Sequence, residues 1–135
     1  MRNPQARPHV LVVDDEALLG RVLARALGQF AEVDVAQSGD EALRKIASAV
    51  EDGSRFDLVV CDVMMPEMSG PELFGRVKAV DPASAKVFVF VTGGATPEHI
   101  ASIKATGVRC MHKPLDVDSI RALLSAPAFP SGSAR

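Results

Sequence analysis

Apolar residues in this chain come in short, almost unbroken runs, and between the runs they recur at helical spacing. HVLVV (9–13), FDLVVCD (56–62) and KVFVFVT (86–92) are the strongest runs. Each is rich in β-branched or aromatic residues and lacks the alternation of a half-exposed strand, so each reads as a strand covered on both faces. VDVA (33–36) is a weaker second run, and VRCMH (108–112) is a fifth. The segments between them have a different period. Residues 17–29 carry Leu18, Val22, Ala26 and Leu27 as an apolar helical stripe. Ser38 to Glu41 has the S-x-x-E form of a capping box and opens a helix with Leu43, Ile46 and Val50. Gly70-Pro71-Glu72 opens a third helix and Thr96-Pro97-Glu98 a fourth, through about Ala105, each with proline at a first-turn position. Residues 116–125 form the last, with Val117, Ile120, Leu123 and Leu124.

Five strands alternating with five helices predict an α/β fold, a parallel sheet covered on both faces. Crossovers are right-handed, so the economical topology is an open, doubly wound five-stranded sheet. The flavodoxin-like strand order 2-1-3-4-5 puts the weak second strand at an edge. The expected domain spans residues 9–125. Residues 1–8, polar with two prolines, read as a flexible arm, and 126–135, APAFPSGSAR, as a flexible tail.

Composition narrows the function classes. With 135 residues and 47% hydrophobic content, one domain with its own core is expected. Aromatics make up 4%, with no Trp or Tyr, which disfavours a base-stacking platform. The net charge of −2 and the lack of a basic run give no reason to expect direct nucleic-acid or membrane contact. Cys61 and Cys110 stand in apolar surroundings outside any CxxC pair, which reads as small hydrophobes in a reducing, cytoplasmic compartment. His9, His99 and His112 have no metal-ligand spacing and read as surface or edge residues.

In doubly wound sheets, sites form beyond the carboxyl ends of the strands. The first strand here ends in Asp14-Asp15, the third in Asp62, the fourth in Thr92 followed by Gly93-Gly94, and the fifth in Lys113-Pro114. In the order 2-1-3-4-5 these ends are neighbours, so the five groups are expected in one crevice. Three carboxylates that close together require a cation, and an all-oxygen site with open positions suits Mg²⁺ or Mn²⁺. Lys113 adds a charge and Thr92 a hydroxyl, a combination able to receive a phosphoryl group. An aspartate-nucleophile phosphatase on a similar sheet would instead need D-x-D at the end of the first strand, where this chain has D-D-E. A flavin carrier is disfavoured because the acids would repel its phosphate.

VLVVDDE, FDLVVCDVMMPEMSG, VFVFVTGG and HKP, in that order, resemble the receiver domain of two-component response regulators. The resemblance covers residues 9–125 and implies the following. Asp62 is the phosphoacceptor. Asp15 and Asp62 bind Mg²⁺ directly, together with the backbone carbonyl of Met64, while Asp14 acts mainly through a metal-bound water. Thr92 hydrogen-bonds the phosphoryl group and Lys113 pairs with it, aimed by a Lys113-Pro114 peptide that is often cis in this family. The donor is a histidine kinase or histidine phosphotransfer domain, and the chain catalyses its own phosphorylation and slow autodephosphorylation. An unidentified output partner binds the face of the fourth helix, fifth strand and fifth helix. Met64 and Gly94, two residues after Asp62 and Thr92, supply no group to orient a hydrolytic water, so a phosphorylated lifetime of minutes or longer is expected. Cys110 stands where many receivers carry a switching aromatic, and Leu115 where Phe is common, which puts the aromatic toggle in doubt. The chain is expected to act as a single-domain regulator or as the terminal receiver of a hybrid sensor kinase. The alternative is a degenerate receiver that serves as a phosphorylation-independent docking module.

Overall fold

In the computed structural model, which describes residues 7–94, 96–113 and 116–125, five parallel strands form one sheet. They are β1 (His9–Val13), β2 (Glu32–Ala36), β3 (Leu58–Asp62), β4 (Phe88–Thr92) and β5 (Cys110–His112), in the order β2-β1-β3-β4-β5. The helices are α1 (Ala17–Leu27), α2 (Gly39–Asp52), α3 (Gly70–Val80), α4 (Pro82–Ala85), α5 (Pro97–Thr106) and α6 (Val117–Ser125). The doubly wound α/β architecture and its strand order are as expected from the sequence. The strands begin or end within two residues of the expected bounds, and the helices likewise.

Why the runs looked unbroken is visible in the two cores. Leu11, Val13, Val59, Cys61, Phe88 and Phe90 point to the face covered by α2, α3 and α5, where they meet Ile46, Leu73, Val77 and Ile103. Val10, Val12, Leu58, Val60, Val89 and Val91 point to the other face and meet Leu27, Ile120 and Leu123. Side chains alternate along β1, β3 and β4, but both faces are buried, so nearly every position in these strands is apolar. Each fully buried Leu, Ile or Val side chain stabilises the fold by about 1.5–3 kcal/mol. β2 is an edge strand, with only Ala36 fully buried, and β5 is the other.

Two expectations need correction. Among the described residues there are six helices rather than five, because a single turn, α4, follows α3. Its cap is Asp81, whose carboxylate accepts from the Ser84 amide (3.2 Å) and hydroxyl (2.6 Å), with Pro82 at the first turn. The second correction concerns α1. Of the stripe Leu18, Val22, Ala26 and Leu27, only Leu27 enters the core; Leu18 and Val22 are 70% and 58% exposed. The helix instead lays Gly20, Leu23 and Leu27 on the sheet, a row at i, i+3 and i+7, with Gly20 close against Val35.

Residues 1–6 and 126–135, read as arm and tail, lie outside the described residues. Arg7 donates to the carbonyls of Gly28 and Ala31, and the Pro8 carbonyl accepts from Glu32 (2.7 Å). Among the described residues no helix is long and apolar enough to cross a membrane.

Candidate functional site

Strand register delivers the acids to one edge. Val13 pairs with Cys61, so Asp14 and Asp62 follow side by side at the carboxyl ends of β1 and β3. Asp62 pairs with Val91, which places Thr92 one residue beyond it on β4. Thr92 pairs with His112, and its carbonyl accepts from the Lys113 amide (2.9 Å), so the ladder continues to Lys113. The burial that makes these strands apolar also encloses the groups at their ends: Asp14, Asp62 and Thr92 are buried, Lys113 is half-buried and Asp15 is exposed.

Each group is held by local hydrogen bonds. The Asp14 amide donates to the Ala36 carbonyl (3.0 Å), and its carboxylate accepts from the Glu16 amide (2.9 Å). The Asp62 carboxylate accepts from the Met64 amide at 3.4 Å. Thr92 Oγ1 accepts from the Gly94 amide (3.1 Å), which leaves its proton to donate elsewhere. Lys113 Nζ stands 3.3 Å from Asp62 Oδ2 and 3.5 Å from Asp14 Oδ2, so one ammonium bridges two carboxylates.

The electrostatics follow. Burial pushes the Asp62 carboxyl above its ordinary range; Lys113 opposes the shift and Asp14 adds to it. Burial pulls the Lys113 ammonium down, but Asp62 and then Asp14 outweigh it, so the net shift is upward and the lysine stays charged. Cys61, fully buried next to Asp62, has its thiol pushed up by burial and then by the Asp62 and Asp14 charges. It is therefore an inert thiol rather than a nucleophile.

Asp14, Asp15 and Asp62 each offer one carboxylate oxygen, and these atoms lie within 4.8 Å of one another. Two of the acids are buried and share one lysine. Hard oxygen donors at this spacing, with more negative charge than the lysine neutralises, fit a hard divalent cation. Of the residues expected at the site, the structure brings Asp14, Asp62 and Lys113 into direct contact, puts a carboxylate oxygen of Asp15 within 4.8 Å of one from Asp14 and one from Asp62, and sets Met64 against Asp62 through its amide. Thr92 joins them through the backbone of Lys113. Pro114 and Leu115, and with them the geometry of the Lys113-Pro114 peptide, lie outside the described residues.

Gly70 belongs to the site and was read in the sequence only as a helix opener. A Cβ there would sit 2.6 Å from the Asp62 carbonyl oxygen and 3.1 Å from the Val63 Cα. Its amide donates to the Val63 carbonyl (2.9 Å), so the loop after Asp62 folds back on the end of β3.

Comparison with known proteins agrees with this geometry. The family model described as response regulator receiver domain matches residues 10–125. The transcriptional regulatory protein ZraR of Escherichia coli is 34% identical over 116 residues, which is 85% of this chain and 25% of that protein. The chain thus spans about a quarter of the length of that relative. Among solved structures, the chemotaxis protein CheY4 of Vibrio cholerae is 30% identical, with a TM-score of 0.74 over 88% of this chain and 97% of that one. A response regulator from Burkholderia pseudomallei, solved with a phosphorylated aspartic acid, calcium ion and citrate, is 26% identical. Its TM-score is 0.72, and the match covers 88% of this chain and 67% of that one. This chain belongs to the response regulator receiver domain family.

Proposed function

We propose that residues 9–125 act as a phosphoryl-accepting receiver in two-component signalling, with Asp62 as the acceptor. The observation that carries this reading is the Lys113 ammonium, 3.3 Å from Asp62 and 3.5 Å from Asp14, in a buried three-carboxylate cluster. The phosphorylated aspartate and calcium ion of the Burkholderia pseudomallei neighbour support it.

Asp62 is the nucleophile. One of its oxygens attacks the phosphorus of a phosphohistidine on a histidine kinase or histidine phosphotransfer domain. The P–N bond breaks, its electron pair stays with the imidazole nitrogen, and an acyl phosphate forms on Asp62. Lys113 follows the charge from the carboxylate to the phosphoryl oxygens, and the Thr92 hydroxyl donates to one of them. Asp15, Asp62 and the Met64 carbonyl would hold Mg²⁺, or Mn²⁺ in its place, with Asp14 acting through water. That ion would neutralise the transferring group.

Phosphorylation then biases a conformational equilibrium. Thr92 is drawn inward, and the face of α5, β5 and α6 changes its affinity for an output partner. α5 buries only Ile103 and Cys110 on β5 is half-buried, so these two elements are weakly anchored. The proposal covers a single-domain regulator and the terminal receiver of a hybrid kinase alike. A cytoplasmic location is part of it, since both cysteines are free and suit a reducing compartment.

Incubation with acetyl phosphate and Mg²⁺, read by intact mass, tests the proposal. One phosphoryl group should be added to the native protein and none to Asp62→Asn or to native protein in EDTA. Equal labelling of Asp62→Asn would overturn it.

A further inference from the structure

The loop that follows Asp62 is folded tightly and plugged into the core. The Met68 amide donates to the Pro66 carbonyl at 2.7 Å, with Glu67 between them at φ 70°. That is a γ-turn centred on a conformation side chains rarely adopt. Met68 itself is buried and packs against Gly39, the first residue of α2. A Cβ on Gly39 would lie 2.4 Å from Met68 Sδ and 3.0 Å from its Cβ and Cγ. The sulfur can swing aside by a change of rotamer, but the Met68 Cβ moves only with the loop backbone. A side chain at position 39 would therefore push on the acceptor loop.

The same segment also touches the first acid. The Ala36 carbonyl, three residues before Gly39, accepts from the Asp14 amide. Between them the chain is stiffened by a reciprocal cap. Ser38 Oγ accepts from the Glu41 amide (3.1 Å), and Glu41 Oε1 accepts from the Gln37 amide (2.9 Å). One rigid piece thus meets Asp14 at one end and the acceptor loop at the other.

We propose that the capped turn 36–39 sets the spacing between Asp14 and the loop carrying Met64, with Gly39 and Met68 as positioning residues for metal binding. This rests on the reading of the acidic cluster as a metal site. Position 39 opens a helix, where alanine is ordinarily the better former, so local propensity alone favours Gly39→Ala.

The test compares wild type, Gly39→Ala, Met68→Gly and the double variant by Mg²⁺ titration calorimetry, urea unfolding and amide NMR of the metal-free proteins. Gly39→Ala should unfold cooperatively, shift the amides of residues 64–69 without metal, and bind Mg²⁺ about tenfold more weakly, the low end for residues behind a metal's ligands. Adding Met68→Gly, which removes the Cβ as well as the thioether, should recover affinity to within about threefold of wild type, since the two residues share one contact. A wild-type Kd for Gly39→Ala, or a double variant no tighter than the single, would overturn the proposal. Should Gly39→Ala not fold, Met68→Gly alone decides. It frees the loop without touching the α2 cap, and an unchanged Kd overturns the proposal. Absence of Mg²⁺ binding by the wild type would overturn the metal-site reading, and this proposal with it, before any variant is made.

Discussion

Lys113→Met removes one charge and keeps most of an aliphatic stem, so it isolates the electrostatic part of the site. In the native protein the ammonium lies 3.3 Å from one carboxylate and 3.5 Å from another. At such distances a pair of unit charges is worth about 1 kcal/mol in water and about 5 kcal/mol at the effective dielectric of a protein surface. The lysine side chain is 24% exposed and the two carboxylates 9–10%, so the site lies between these limits. Burying the ammonium offsets part of the gain. Removing one member of a buried pair costs about 3–5 kcal/mol and of an exposed pair at most about 1 kcal/mol. An intermediate loss of about 2 kcal/mol follows, or roughly 1 M in urea midpoint for a domain of this size. The assay is urea unfolding followed by far-ultraviolet circular dichroism, with EDTA and then with saturating Mg²⁺. Metal at a hundred times its Kd adds about 2.7 kcal/mol to a folded state that binds it. The variant should gain at least as much as wild type, because the ion then meets two carboxylates without a competing cation. The gap should therefore narrow in Mg²⁺. Equal midpoints for the two proteins in EDTA, or a gap that widens with Mg²⁺, would refute the bridging role.

Three further outcomes are expected. Asp62→Asn should abolish the rise in urea midpoint that Mg²⁺ gives the wild type, while raising the metal-free midpoint or leaving it unchanged, since it removes one of two buried like charges; a retained metal effect would assign the ion elsewhere. Hydrogen bonds from Arg55 and then Ser84 hold the Asp81 carboxyl down at about 2, so its stabilisation is complete above the ordinary carboxylate value of 3.8 and is lost as pH falls towards 2. Asp81→Ala should flatten the pH dependence in that window and cost about 1 kcal/mol at neutral pH through the lost cap of α4, measured by urea unfolding across pH. The acyl phosphate should persist for minutes or longer, because Met64 and Gly94 offer no group to orient water; decay of labelled phosphate within seconds would contradict this.

The fold was legible because its signals were local and mutually consistent. Four of the five strand runs ended in a polar group, and alternation of strands and helices left few topologies. The site was legible for the same reason, since the strand order alone makes neighbours of Asp14, Asp62, Thr92 and Lys113. What escaped was decided by packing. Leu18 and Val22 have the spacing of a buried stripe, but the close approach of Gly20 to Val35 turns the other face of α1 to the sheet. α4 escaped because one helical turn has no period to read; only the Asp81-Pro82 pair announced it. The contacts of Gly70 with Asp62, across a loop, and of Gly39 with Met68, between separate elements, depend on the absence of a side chain. No pattern of residue types reports that.

The proposed function requires an acyl phosphate on Asp62. Borohydride reduces such a group to homoserine at the residue that bore it. The protein is charged with labelled phosphohistidine donor and Mg²⁺, reduced, digested and sequenced by mass spectrometry. Homoserine at position 62, dependent on both donor and metal, is the predicted result. Homoserine at position 14 or 15, or phosphate stable to borohydride on a serine, threonine or histidine, would contradict it.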